Sequence, residues 1–167
     1  MAVKTISKLK KELDKWFSLY IRLREANAYG MCQCFTCGVV RHYKDGMQNG
    51  HFQSRKHLST RFDEENCQVQ CVKCNVYAWG EQYKFSLALD GKYGEGKAEE
   101  LQHLARTTLK LSRYDYEDKI SYYGTLVDKL KKEKGIIVKK GGTQAKKDNY
   151  ERSKIPYELC KEILLSI

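Results

Sequence analysis

The chain has 167 residues, with 31 Lys plus Arg against 21 Asp plus Glu, seven Cys and a single Pro. That length fits one compact domain with appendages and argues against two full domains. No stretch approaches eighteen consecutive apolar residues, and the start MAVKTISKLKKELDKWF lacks the apolar run of a signal peptide, so a membrane span and secretion are excluded from the expectation and a basic, cytoplasmic protein is left.

Residues 3–28 predict an amphipathic helix. Ile6, Leu9, Leu13, Trp16, Phe17, Tyr20 and Leu23 recur at three- and four-residue steps, leaving Lys8, Lys11, Lys15 and Arg22 to face water or phosphate, and Gly30 ends the segment. Residues 31–75 are dense in Cys, His, Gly and Asn and carry little helical period. Short strands and turns fit them: Cys34-Phe35-Thr36-Cys37-Gly38 reads as a tight knuckle, 39–42 as a strand and Asp45-Gly46 as a turn. Helix becomes plausible again from Asn75. Beyond the glycines at 91–96, residues 97–111 and 115–134 each place apolar residues on one face and predict a helical hairpin closing over the centre. Residues 135–155 read as a basic linker, and 156–167 as a short end helix behind Pro156. The expected organisation is therefore a basic helix (1–30), a cysteine-bracketed core (31–90), a hairpin (91–134), a linker (135–155) and a final helix (156–167).

Charge follows the same divisions. Residues 1–30 carry a net +4, residues 31–128 are neutral and residues 129–154 carry +7. Basic flanks around a neutral, cysteine-rich centre suit a polyanion, because Lys and Arg gain affinity by releasing phosphate counterions.

Cys34-x2-Cys37 and Cys71-x2-Cys74 are the strongest chemical signal. Two side chains two residues apart in a turn grip one face of a metal, and two such turns complete a tetrahedron of the kind Zn²⁺ takes with four thiolates. Disulfides are the competing reading, disfavoured in an intracellular chain. Cys32, only two residues before Cys34, leaves some ambiguity, and Cys67 and Cys160 read as ordinary thiols. Four thiolates fill a zinc shell, so such a metal holds the fold and any catalysis needs other residues. The stretch between the pairs supplies candidates: Asn49-Gly50-His51, then Arg61 to Asn66, then Asn75 directly after the last cysteine. One His and two Asn inside a metal-framed loop suit a phosphodiesterase centre, in which the imidazole deprotonates water and a hard cation neutralises the phosphate. Arg55, Lys56 and Lys73 are further candidates for phosphate contacts.

The order Cys34-x2-Cys37-Gly, Gly50-His51, Arg61-Phe62-x-Glu-x-Asn66, Gln70-Cys71-x2-Cys74-Asn75 resembles the HNH, or ββα-metal, nucleases. More narrowly it resembles the NinG/Rap recombination family of lambda-like phages, over about residues 31–105. It is also similar to the phage endonuclease VII resolvases, which bracket a catalytic loop with two CxxC pairs and set Asn after the last Cys. The resemblance implies an α+β fold with a zinc-supported ββα-metal core flanked by the N-terminal helix and the C-terminal hairpin. It implies His51 as general base, Asn75 as ligand of a catalytic Mg²⁺ or Mn²⁺, Asn66 as the tether of the His-bearing loop, and Arg61 as a phosphate contact. It implies branched recombination DNA, such as Holliday junctions and displacement loops, as substrate, and symmetry-related cuts make a homodimer an expectation. Many HNH enzymes carry Asp just before the catalytic His, where this chain has Gly50. The second cation ligand is therefore open among Asn49, Asp45, Asp63 and Glu64, with His57 and His42 as possible substitutes for parts of the scheme. A His base must be neutral, so activity is expected to fall below about pH 6.5. The competing readings are an HNH nuclease that nicks ordinary duplex, a non-catalytic zinc-supported DNA-binding module, and a zinc scaffold that binds RNA or protein.

Overall fold

The computed structural model describes residues 3–135. Cys160, most of the expected linker and the expected end helix lie outside the described residues.

Helix α1 spans Ile6–Arg24. Thr5 caps its start, its hydroxyl accepting from Lys8 N at 3.3 Å, and Arg22 and Arg24 occupy the last turn, where the helix dipole favours cations. Two antiparallel hairpins follow. Strand β1 (Met31–Gln33) pairs with β2 (Val40–His42), and β3 (Met47–His51) pairs with β4 (Cys67–Cys71). The one-turn helix α2 (Leu58–Arg61) interrupts the long β3–β4 connection. After β4 the chain makes a π-helical turn, Lys73–Tyr77, and continues as α3 (Gln82–Tyr93), α4 (Lys97–Ala105) and α5 (Arg113–Glu133). The fold is α+β: helices around two small antiparallel sheets.

The apolar stripe of α1 makes the main core. Leu9, Leu13, Phe17 and Ile21 are buried against Tyr116, Tyr123 and Val127 of α5 and against Met47 and Val69 of the second hairpin. Phe17 sets its ring edge-on to Phe62 and Tyr123, with centroids 5.7 and 4.9 Å away. Four such fully buried side chains, at roughly 1.5–3 kcal/mol each, outweigh anything the surface ion pairs of the same helix contribute.

A smaller cluster joins Phe52, Phe85, Leu89, Ala98 and Leu101. The expected hairpin is corrected here. Helix α4 buries its face with α3 in the small cluster, whereas α5 lies along α1 in the large one. The physical reason is the glycine segment: α3 runs on through Gly91 to Tyr93 and turns only at Gly94–Gly96, so α4 folds back on α3. The apolar faces of α1 and α5 are spent on each other.

Candidate functional site

The sulfur atoms of Cys34, Cys37, Cys71 and Cys74 all lie within 4.8 Å of one another. A tetrahedron with metal–sulfur bonds near 2.3 Å has edges of about 3.8 Å. The Cys37 and Cys71 sulfurs are 3.8 Å apart. The set therefore fits a four-thiolate metal site and is compatible with structural zinc. Burial works against the Cys34 thiolate, yet hydrogen bonds from Thr36 and from backbone N–H groups, Cys71 among them, bring its pKa down to about 6. Cys32 is excluded from the cluster: it lies buried in β1, and burial pushes its thiol up to about 12. Each pair comes from a different hairpin, Cys34 and Cys37 from the β1–β2 turn, Cys71 and Cys74 from the end of β4 and the π-helical turn. The cluster thus joins the hairpins.

Beside this frame lies a cleft of about 800 Å³, lined by Asn49 and His51 of β3, Asn75 of the π-helical turn, Arg55, Trp79 and, from α1, Asp14 and Arg22. His51, Asn49 and Asn75 all line this cleft. His51 Nε2 lies 3.2 Å from Arg61 O. A carbonyl can only accept, so Nε2 carries the proton and the neutral ring keeps its lone pair on Nδ1. Burial pushes the imidazole pKa down from 6.5 to about 4; the Arg61 carbonyl opposes this and the Arg55 charge adds to it. His51 is neutral well below pH 6.5, which moves the expected acid limit of a base at this position downward. Asn75 Nδ2 donates to Gln48 Oε1 at 2.6 Å, fixing the amide's orientation. Asn49 Oδ1 is buried without a hydrogen-bond partner among the described residues, an uncompensated acceptor at the cleft wall.

Asn66 is completely buried. Its Oδ1 accepts from Gln53 N at 2.7 Å, and its Nδ2 donates to Gln53 O and Thr60 O at 3.1 and 2.9 Å. One amide thus stitches the segment after His51 to the start of β4.

Other expected site residues lie elsewhere. Asp63 accepts from the backbone of Glu65 and Asn66 at 2.9 and 2.8 Å, closing its own turn. Glu64 is held by Tyr20, Tyr123 and Arg24. Asp45 is exposed in the β2–β3 turn. None of the three lines the cleft. His57 precedes the first residue of α2 without a side-chain capping bond, and His42 packs its ring on Tyr43 at 4.7 Å; neither lines the cleft. Arg61 is drawn from phosphate by a two-pronged pair with Asp14, at 2.9 and 2.6 Å, and a third bond to Arg55 O. Arg55 and Lys56 are exposed beside His51, and Lys73 is exposed in the π-helical turn.

Sequence reasoning missed Gln70. Its side chain is fully buried; Nε2 donates to Thr36 Oγ1 at 3.2 Å and to Gly80 O at 2.8 Å, while Oε1 has no partner among the described residues and points at Gly50. A Cβ at position 50 would stand 2.2 Å from Gln70 Oε1. The glycine is therefore required by packing. The Gly80 carbonyl belongs to a run of left-handed residues, Trp79, Gly80 and Glu81, with φ of 52, 85 and 49°. The two non-glycine members cost about 1 kcal/mol each. Alternation along β4, with Gln68 and Gln70 opposite Cys67, Val69 and Cys71, was the one sequence sign of a buried polar face.

Folding and site together define a small α+β protein in which a four-cysteine cluster joins two hairpins beside a polar cleft. The family model described as Bacteriophage Lambda NinG protein matches residues 1–133, and the chain belongs to that family. No curated protein and no solved structure matches it. Among the described residues no helix is long and apolar enough to cross a membrane.

Proposed function

We propose that this protein is a metal-dependent DNA endonuclease of the HNH type acting on branched recombination intermediates, with zinc in the four-cysteine cluster. What carries the reading is one observation: a buried, neutral imidazole and two side-chain amides, Asn49 and Asn75, share a cleft walled by the segments the cysteines tie together. His51 Nδ1 takes the proton from the attacking water, and the Nε2–H bond to Arg61 O holds the ring in that tautomer and spreads the gained charge. Asn66 fixes the loop between them, so the imidazole cannot swing. Asn75, oriented by Gln48, and Asn49, with its uncompensated Oδ1, are the residues that would hold a hard divalent cation. When bound, Mg²⁺ or Mn²⁺ supplies positive charge to the phosphate and the leaving 3′ oxygen. Arg55, Lys56 and Lys73 position the backbone without reading sequence. The products are a 5′ phosphate and a 3′ hydroxyl. Two copies of the chain make the paired cuts of a junction.

A second reading, a zinc-supported DNA-binding module without catalysis, is favoured by one fact: among the described residues Asp14 is the only carboxylate lining the cleft, and Arg61 engages it. Incubation of a labelled four-way junction and a matched linear duplex with Mg²⁺ separates the readings. The expected result is cleavage of the junction by the native protein and none by His51→Ala, with zinc content and DNA affinity retained. Equal cleavage of both DNAs points to a duplex-nicking HNH enzyme. Binding without cleavage by either protein points to the module.

A further inference from the structure

Trp79 is 87 % exposed, on a chain whose other tryptophan, Trp16, is packed against the core. Large aromatic side chains are normally withdrawn from water, so full display of an indole needs a cause. Here the backbone imposes it. Residues 79–81 are three successive residues of positive φ, and Gly80 N donates to Cys74 O at 2.8 Å while Gln70 donates to Gly80 O at 2.8 Å. The strained turn is thereby tied to the cysteine frame at both polar groups of its middle residue. Strain maintained in this way is characteristic of functional segments.

The position of the indole is equally specific. Trp79 lines the same cleft as His51, Asn49 and Asn75. Its sequence neighbours Tyr77 and Tyr83 are each 77 % exposed, and Lys73 and Lys84 are exposed on either side of them in sequence, Lys84 paired with Glu81 at 3.2 Å. An exposed indole in a polar cleft that Arg55 also lines, with exposed tyrosines flanking it in sequence, matches single-stranded nucleic acid: each base has a π-face to stack, and the phosphates meet a cation. A second copy of the chain is the less suitable occupant, because this stretch runs directly into a polar cleft and its most exposed apolar side chains are aromatic, Val76 and Leu87 being about half exposed.

We propose that Trp79 stacks on an unpaired or unstacked nucleobase at the branch point, so that the cleft admits a strand whose base stack is broken and disfavours continuous duplex. This rests on the nucleic-acid reading above and adds to it a residue that distinguishes branched from linear DNA. Bases inside a continuous duplex are covered by their neighbours and offer Trp79 no face; a flap or junction arm does.

The test uses the full chain carrying Trp16→Phe and His51→Ala, so that Trp79 is the sole tryptophan and the DNA stays intact. Its fluorescence is titrated with a poly-dT single strand, a flapped fork and a duplex closed by loops at both ends. The expected result is quenching by the strand and the fork and none by the duplex stem when the loops are made of abasic linker. Separately, Trp79→Ala in the otherwise native chain weakens fork binding about 5- to 150-fold, the stacking of one base, while Trp79→Phe retains most of it and duplex affinity stays within about twofold. Equal quenching by closed duplex overturns the proposal. So does unchanged fluorescence on binding the fork while the native protein still cleaves it, a result that leaves the nuclease reading intact. A fluorescence change that follows protein concentration without DNA, matched by dimer in sedimentation, assigns the face to a second copy and also overturns it. Absence of both DNA binding and cleavage in the native protein removes the nuclease reading, and this proposal with it.

Discussion

Substitution of Gly50 probes the most unusual contact in the site. A Cβ at this position would lie 2.2 Å from Gln70 Oε1 and 2.7 Å from its Cδ and Cγ, so Gly50→Ala must displace the Gln70 amide. That amide is the end of a flexible side chain, but it is fully buried and anchored by donation to Thr36 Oγ1 and Gly80 O. Losing two hydrogen bonds at about 1 kcal/mol each, and leaving the buried Gly80 carbonyl unpaired, gives an expected cost of about 2–4 kcal/mol. Gln70→Ala alone loses the same bonds and opens a cavity. In the double variant the new methyl enters space that Gln70 has vacated, so the two costs are not additive and the coupling is about 2 kcal/mol in the favourable direction. Urea unfolding of the four proteins measures it, with m-values compared to confirm that the denatured state is unchanged. Additivity within about 0.5 kcal/mol, or a Gly50→Ala cost below that figure, would refute the packing argument. The same geometry predicts that Gly50→Asp, which introduces the carboxylate found at this position in many HNH enzymes, damages the fold and gains nothing unless Gln70 is shortened as well.

Three further outcomes are expected. Between pH 6.5 and about 4 the unfolded chain holds a proton on His51 that the folded chain excludes, so stability falls as pH falls; from pH 7 to 4.5 this site removes about 2–3 kcal/mol, a loss absent from His51→Asn when the two are unfolded side by side. Stripping metal with a chelator, or Cys71→Ser, should abolish the cooperative unfolding transition of the hairpin region and release the amide protons of β3 and β4 to exchange, while α1 and α5 exchange least; unchanged protection in β3–β4 would detach the cluster from the fold. Asp14→Ala leaves the half-buried Arg61 guanidinium unpaired and should cost about 1–3 kcal/mol in urea, with Arg61→Leu in the same background recovering part of it.

Helices α1 and α5 were legible because their apolar residues recur at helical spacing, and the cysteine cluster because CxxC pairs carry their geometry in their spacing. The hairpin of 97–111 on 115–134 was not, because both faces are apolar and periodicity says nothing about which partner covers them; α1 and α3 won those faces. Among site residues, His51, Asn66 and Asn75 stand out by type and position. Asp63 and Glu64 stood out equally, and their engagement by local backbone, tyrosines and Arg24 is visible only in three dimensions. Gln70 stood in the motif and in the β4 alternation without a role, and Trp79 carried no signal of its own; their roles arise from one approach to Gly50 and one run of left-handed residues.

Each hairpin has only two strands, and such hairpins are marginal in water by themselves. The β1–β2 hairpin is the more dependent, since its strands have three residues each and its turn supplies Cys34 and Cys37. The β3–β4 hairpin has the core at its back, yet its free end carries Cys71, and Gln70 beside it reaches Thr36 in the first hairpin and Gly80 in the loop beyond. A displacement of Cys71 therefore moves Gln70, and Gln70 bears on Gly50 on one side and on the Trp79 turn on the other. His51 and Asn75 are adjoining positions on these same segments. The frame that gives this small fold its rigidity and the frame that aims the cleft are one set of residues. Variants that weaken the cluster should thus lower activity before they unfold the protein, with α1 and α5 still paired, because α1 packs more extensively on α5 than on either hairpin.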